Sequence, residues 1–140
     1  VLDLRKTKPL PGPRLSVRTP FCVLMRSVWR CLPVSGWTFH LGKLMTRTVL
    51  RPSGVTEQRS IPLPDGANLE VNVGTPTGND LYCMAHHYES TSLKMWRNLA
   101  RTHNRIMDVG SHVGLYAVTA AAANPRAKVV AVEPLPANLD

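Results

Sequence analysis

A group of residues near the end of the chain has the types and spacing needed to hold a nucleoside. The group consists of Asp108, Gly110, Ser111, His112, Gly114 and Glu133. Glycines permit a sharp turn at positive φ, or let a ligand lie directly against the backbone. An acid that follows such a turn by roughly 20 residues is placed to accept hydrogen bonds from ribose hydroxyls. The spacing therefore predicts a nucleoside-binding turn that begins at Gly110, with Glu133 accepting hydrogen bonds from both ribose hydroxyls.

A strand, a helix and a second strand must position these residues. Residues 106–109 form a short apolar run, and an Ala-rich run of helical periodicity follows Gly114. The face of this helix that we expect to be buried is Leu115, Val118, Thr119 and Ala122. The helix should stop at Asn124, because Pro125 disfavours helical geometry in the residue before it. Residues 128–132 are apolar throughout, as in a parallel strand buried on both faces. The pattern predicts a βαβ unit and an α/β fold.

The charge beside the turn distinguishes between nucleoside cofactors. The pattern is D-x-G-x-x-x-G, not the G-x-G-x-x-G of dinucleotide-binding turns. A carboxylate at Asp108 would repel a pyrophosphate but suits a cofactor that carries an ammonium group, such as S-adenosylmethionine. We therefore expect S-adenosylmethionine, with an NAD(P)-binding Rossmann oxidoreductase as the alternative.

The stretches DVGSHVG and VVAVEP resemble motif I and the second-strand acid of S-adenosylmethionine-dependent methyltransferases of the FkbM type. The resemblance covers roughly residues 63–140 and includes a Tyr88-Glu89 pair ahead of the preceding helix. It implies a class I methyltransferase with a Rossmann-like domain that methylates a hydroxyl on a sugar or small metabolite. The cofactor-binding residues that it implies are Asp108, Gly110, Ser111, His112, Gly114, Glu133 and Glu89.

Two of these positions carry open questions. Ser111-His112 stands where the family more often has Ala-Asn. His112 either acts as a general base or, as we expect from its place at the start of a helix, acts mainly through its backbone. Glu89 either faces the cofactor or, as an acid before a helix, stabilises that helix through its dipole. No residue is assigned as the catalytic base.

The chain divides into four segments. Residues 1–20 form a basic, Pro-rich flank that we expect to be disordered, and residues 21–58 a helical segment. Residues 59–103 hold a hairpin and a lead-in helix, and residues 104–140 begin the Rossmann-like domain. Because a class I sheet has several more strands than this last segment supplies, we expect the chain to be an incomplete domain that is inactive by itself.

The segments before the glycine turn have their own patterns. Apolar positions with helical spacing are Val23, Met25, Trp29 and Leu32, and then Phe39, Leu41, Leu44, Met45 and Val49. Alternating runs on either side of Asp65-Gly66 predict a β-hairpin. Residues 74–80 read as a loop, and residues 81–87 as strand or loop. Thr91 or Ser92 is expected to cap a helix whose apolar face is Leu93, Trp96, Leu99 and Ala100.

The distribution of charge and the length of the apolar run argue against nucleic-acid binding and a membrane span. The formal net charge is +8, and all of the positive excess lies in residues 1–60. These cations are scattered singly, which is typical of a solvated flank, so we expect no nucleic-acid partner; a non-catalytic remnant acting through this basic half is the rival function. The apolar run at residues 21–32 is too short to span a bilayer.

The cysteines and histidines give no sign of a disulfide or a metal site. Cys22, Cys31 and Cys83 form no C-x-x-C pair and are expected to be reduced core thiols in a cytoplasmic protein. The adjacent pair His86-His87 would point to opposite faces of an extended chain, so we expect no metal site.

Overall fold

The structure is a computed structural model that describes residues 24, 26–29, 31–33, 36–49, 57–84, 87–135 and 138. The predicted disordered flank, Cys22 and His86 lie outside these residues. The helices are α1 (Gly36–Val49), α2 (Pro76–Met84), α3 (Ser90–Thr102) and α4 (Leu115–Ala123). The strands are β1 (Glu57–Pro62), β2 (Asn68–Val73), β3 (Arg105–Val109) and β4 (Lys128–Val132). This mixture of short helices and strands agrees with the predicted α/β class.

The described residues belong to two compact units. The first, called here the hairpin unit, comprises those among residues 11–61 and 70–90. The second, called the βαβ unit, comprises residues 62–69 and those among 91–140. β1 pairs with β2, and β3 pairs with β4 in a separate two-stranded sheet. The division into four segments expected from the sequence stays a prediction.

The predicted hairpin is present. β1 and β2 are neighbours joined by residues 63–67, a connection too short for a parallel crossover. Asp65 and Gly66 both have positive φ, at 64° and 80°, as the predicted Asp-Gly turn requires. Leu69 and Val71 are buried on one side of β2, which confirms the alternation of apolar residues.

The prediction of a loop at residues 74–80 was wrong, because α2 begins there. The Thr75 hydroxyl accepts a hydrogen bond from the Gly78 backbone N–H at 3.1 Å, and Pro76 occupies the first helical position. These are the features of a capped helix N-terminus. The Asn79 side chain then accepts a hydrogen bond from the Gly74 N–H at 2.8 Å. Residues 81–84 continue the helix, so neither a strand nor a loop is correct there.

The helix α3 is present but starts earlier than expected. It begins at Ser90, so Thr91 and Ser92 lie within its first turn and do not precede it. Of the expected apolar face, Ala100 is buried, whereas Leu99 is 53% exposed. Arg97, on the opposite face, forms a two-bond ion pair with Asp65, with both N–O distances at 2.8 Å.

The helical character of the upstream segment is confirmed where it is described. Residues 24, 26–29 and 31 are helical, and α1 follows. The expected apolar face of α1 is wrong at Leu41 and Leu44, which are exposed. The buried position is Gly42, where a Cβ would lie 2.5 Å from the Met84 sulfur and 3.1 Å from the Trp29 ring. α1 therefore packs closely through a glycine.

The βαβ unit has the predicted order of elements. β3 and β4 are parallel, with Ile106 opposite Val129 and Val109 opposite Val132. The buried residues of α4 are Leu115, Ala117, Thr119 and Ala120, so Ala117 and Ala120 replace the expected Val118 and Ala122. The expectation that β4 is buried on both faces was wrong: its residues are half-buried or exposed. Among the described residues of this unit, α4 packs against both β3 and β4.

Candidate functional site

The glycine turn, residues 110–114, is fastened to the end of β4. The backbone N–H groups of Gly110 and Ser111 both donate to the Val132 carbonyl, at 2.7 and 3.1 Å. The Ser111 carbonyl then accepts a hydrogen bond from the Gly114 N–H at 2.7 Å, which closes the turn before α4. The turn therefore lies at the carboxyl ends of two parallel strands, where open α/β sheets bind ligands.

Three residues of the turn have left-handed backbone conformations. They are Gly110 (φ 80°), His112 (φ 49°) and Gly114 (φ 77°). A Cβ at Gly110 would have no heavy atom within 4 Å, so its glycine is required by φ and not by space. His112 is the one residue of the three with a side chain, and a non-glycine residue keeps this conformation only where its surroundings enforce it.

Glu133 provides that enforcement. Its Oε2 accepts the His112 backbone N–H at 2.7 Å, and its Oε1 accepts the Leu135 N–H at 2.9 Å and the Asn138 side-chain amide at 3.1 Å. The hydrogen bonds from Leu135 and His112 hold the pKa of the Glu133 carboxyl below its usual value, so it is a carboxylate at neutral pH. The acid that ends β4 thus fixes the shape of the turn after β3.

These bonds limit what Glu133 can still accept. A carboxylate has about four lone-pair sites, and three of those on Glu133 are used. The remaining site is on Oε2. In this arrangement Glu133 has one acceptor site left for a ligand, and the expectation that it accepts both ribose hydroxyls stays a prediction.

Asp108 connects β3 to the start of α4. Its carboxyl accepts a hydrogen bond from the Ala117 backbone N–H, one of the donors that the first turn of a helix leaves unpaired. Its Oδ2 atom is buried and has no hydrogen-bond partner among the described residues. Burial raises the pKa of Asp108 above its ordinary value of 3.8, and the Ala117 hydrogen bond partly offsets that rise.

The other predicted site residues contribute less. The His112 side chain is exposed, and its backbone N–H donates to Glu133. Glu89 lies in the hairpin unit, immediately before α3, with φ 47°. Burial and the charge of Glu89 both raise the pKa of Tyr88. The hydrogen bonds of the glycine turn described above are all made within the βαβ unit.

Three contributors to the site were not predicted: the backbone N–H groups of Ala117 and Leu135, and the Asn138 side chain. A backbone donor leaves no mark on the sequence. Asn138, a polar residue shortly after the Glu-Pro pair, had a residue type that could have suggested a role.

The described residues include histidines, thiols and helices that bear on metal binding, cysteine state and membrane insertion. They contain no group of three or more His, Cys, Asp and Glu that could hold a metal ion. His87 is buried, with Nε2 at 2.7 Å from the Trp29 carbonyl oxygen. Cys83 is a buried free thiol as expected, whereas Cys31 is exposed, so its assignment to the core was wrong. None of the helices in the described part of the chain is long and apolar enough to cross a membrane.

Comparisons with known proteins identify no relative. No protein-family model matches the chain, and no curated protein or solved structure matches it. The function is therefore argued from the geometry and charge of the glycine turn.

Proposed function

We propose that the βαβ unit begins a class I methyltransferase domain that binds S-adenosylmethionine at the glycine turn. The observation that carries the proposal is the pair of acids that frame the turn. Asp108 lies on the strand that enters the turn, and Glu133 holds the His112 N–H within it. Such a turn suits a nucleoside ligand with a positive charge.

The same two acids argue against a dinucleotide. A pyrophosphate at a βα turn is normally held by the free N–H donors and positive dipole at the helix N-terminus. In this chain the Asp108 carboxyl already accepts the Ala117 N–H in the first turn of α4, and the Glu133 carboxylate accepts the His112 N–H. Two of the donors that a phosphate would use are therefore paired with carboxylates, which would also repel it.

The residues present fit a ligand that donates hydrogen bonds. The Asp108 Oδ2 is a buried acceptor with no partner among the described residues, and Glu133 has one acceptor site left on Oε2. Gly110 leaves open space where a side chain would stand. Asp108 and Glu133 would hold the cofactor, which when bound supplies an electrophilic methyl group on a sulfonium.

The methyl acceptor is proposed from the FkbM resemblance alone. That resemblance indicates a hydroxyl on a sugar or small metabolite. The contribution of these residues to such a transfer is to bind and orient the donor, and positioning of this kind can supply much of the rate acceleration. An NAD(P)-dependent oxidoreductase is the alternative outcome of the test below.

Calorimetry with two ligands tests the proposal. The protein is titrated with S-adenosylhomocysteine and, separately, with NADH. We expect saturable binding of S-adenosylhomocysteine and none of NADH. The reverse preference would identify a dinucleotide site and contradict the proposal.

Two substitutions then locate the site. Glu133→Ala removes both the charge and the acceptor, and we expect it to weaken S-adenosylhomocysteine binding about tenfold or more. Asn138→Ala removes a donor that competes for Glu133, so binding should be unchanged or tighter. If both variants weaken binding equally, Glu133 acts only by supporting the segment after β4.

A further inference from the structure

A pocket of about 260 Å³ lies beside the start of β3, at the opposite end of that strand from the glycine turn. Trp96 and Leu99 of α3 form one wall, and Arg105, Ile106 and Met107 of β3 form the other. Pockets for drug-sized ligands measure roughly 300–1,000 Å³, so this one suits a more compact group. The proposed cofactor site does not use it.

One of the residues that line the pocket, Arg105, is a cation with further cations near it on β4 and in the loop before β4. Arg105 lies directly opposite Lys128 of β4 in the strand register, and Arg126 precedes Lys128 in the adjoining loop. These three exposed cations are called here the basic edge. No ion pair between them and an acid is present among the described residues. Like charges on neighbouring strands repel, so their arrangement favours an anion beside them.

The acids of the βαβ unit do not compensate the basic edge. Among its described residues, Asp65 is bound by Arg97 and Arg101, with nearest N–O distances of 2.8 and 3.0 Å. Asp108 and Glu133 are committed to the glycine turn. The positive charge of the edge therefore has no partner within the described part of this unit.

The basic edge stands on a fixed backbone. The Asn124 side-chain amide donates to the carbonyls of Ala100 and His103, both at 3.1 Å. The Lys128 backbone N–H donates to the Asn104 carbonyl at 2.8 Å. These bonds join the loop after α4 to the loop after α3, and so hold Lys128 and Arg105 side by side before any ligand arrives.

The wall beside the basic edge is apolar and open. Leu99 is 53% exposed and Met107 is 63% exposed, and both line the pocket. Exposed apolar side chains next to unpaired cations match a ligand that has both an apolar body and a negative charge. A long polyanion would find few cations here and would leave the apolar wall unused.

We propose that this pocket binds a small amphiphilic anion: a carboxylate or phosphate monoester whose compact apolar group enters between Trp96 and Met107 while its charge meets Arg105 and Lys128. Burial of the apolar group provides affinity. The cations provide selectivity for the charged form.

Octanoate, 1-octanol and acetate form a matched set of probes. Calorimetric titration of the protein should give saturable binding of octanoate, weaker binding of 1-octanol, and no binding of acetate. Octanoate should also change the fluorescence of Trp96, and that change should be lost in Trp96→Phe. Equal binding of octanoate and 1-octanol, or binding of acetate as tight as octanoate, would overturn the proposal.

Two variants distinguish binding in this pocket from nonspecific attraction to positive charge. We expect Arg105→Gln to weaken octanoate binding about tenfold and to leave 1-octanol unchanged. Lys94→Gln removes an equal charge from an exposed position on α3 that does not line the pocket, and should have no effect. Equal effects of the two variants would overturn the proposal. A third result would also overturn the proposal: the protein self-associates, Leu99→Glu abolishes the self-association, and octanoate does not affect it. The pocket would then be occupied by a second copy of the chain.

Discussion

The hairpin unit and the βαβ unit are stabilised in different ways. The hairpin unit buries large side chains, which are Trp29, Ile61, Val71, Leu81, Tyr82, Cys83 and Met84. The βαβ unit buries fewer large side chains and several small ones, and Val109 at the end of β3 is 74% exposed; its buried residues are Leu69, Ala100, Leu115, Ala117, Thr119 and Ala120. The βαβ unit is distinguished instead by the hydrogen bonds that fix its glycine turn.

Glycines show the same contrast. In the hairpin unit, Gly78 is required by space, because a Cβ there would collide with the Asn72 backbone carbonyl. In the βαβ unit, Gly110 has open space around it and is required by φ. A unit held by packing is sensitive to added volume, whereas a unit held by a turn is sensitive to backbone conformation. The predictions that follow test this distinction.

The largest effect is expected from Gly78→Ala. The added methyl group meets backbone atoms of β2 that cannot move without disturbing the hairpin, so we expect a loss of about 3 kcal/mol in the free energy of unfolding. Urea unfolding monitored by circular dichroism measures it. Gly36→Ala is the control: a Cβ there has nothing within 4 Å, and the change should stay within about 1 kcal/mol. Equal losses in the two variants would mean that a steric clash with a side chain is not the reason for glycine at position 78.

Gly110→Ala should have an intermediate effect. Left-handed backbone costs an L-residue roughly 1–2 kcal/mol, and no collision adds to it here. Gly110→Asn should cost less than Gly110→Ala, because asparagine tolerates this region better. The same urea titration compares them. If alanine and asparagine are equally costly, steric exclusion and not φ would limit the position, and the contrast between the units would fail.

The sequence predicts the βαβ unit well because its signals are local. Glycines, a proline stop and two apolar runs specify β3, the turn, α4 and β4 without reference to the rest of the chain. The helix α2 was missed for a physical reason. Residues 78–84 are all buried, including the polar Asn79 and Asp80, so polar residues do not mark a solvent-exposed face and there is no amphipathic period to detect. The Thr75-Pro76 pair is a signal for a helix N-terminus, but it was overlooked because residues 74–80 have the composition of a loop.

The electrostatics of the site were only partly predictable. The types and spacing of Asp108 and Glu133 suggested two acids near the turn. Their actual partners are backbone N–H groups of Ala117, His112 and Leu135, and every residue carries such a group. The number of acceptor sites left for a ligand can therefore be counted only from the structure.

A smaller effect is expected at the ion pair of the βαβ unit. Hydrogen bonds from Arg97, followed by Arg101, lower the pKa of Asp65 below 3.8. The pair is at the surface, so Asp65→Asn should cost roughly 0.5–1 kcal/mol at neutral pH. Asparagine also accepts the left-handed backbone of this position, so the substitution weakens the ion pair without adding backbone strain.

The pH dependence of this variant follows from the direction of the shift. Because the folded-state pKa is lowered, the stabilisation is present above the unfolded pKa near 3.8 and is lost as the pH falls through the folded pKa. Thermal unfolding at several pH values should show wild type and Asp65→Asn converging in acid. A gap that persists at low pH would assign the effect to packing.

Asp108→Asn should change stability least, and in the opposite direction. Burial raises the pKa of Asp108, so its favourable contribution is complete below the unfolded pKa near 3.8 and is lost as the pH rises through the folded pKa. Asparagine keeps an acceptor for the Ala117 N–H without the buried charge, so the variant should unfold at a slightly higher temperature than wild type at pH 7, with no difference in acid. Thermal unfolding at both pH values measures this, and cofactor titration of the same variant should show weaker binding. A variant less stable at pH 7 would mean that attraction between the carboxylate and the N-terminus of α4 outweighs the cost of its burial, so that Asp108 is held there to support the helix.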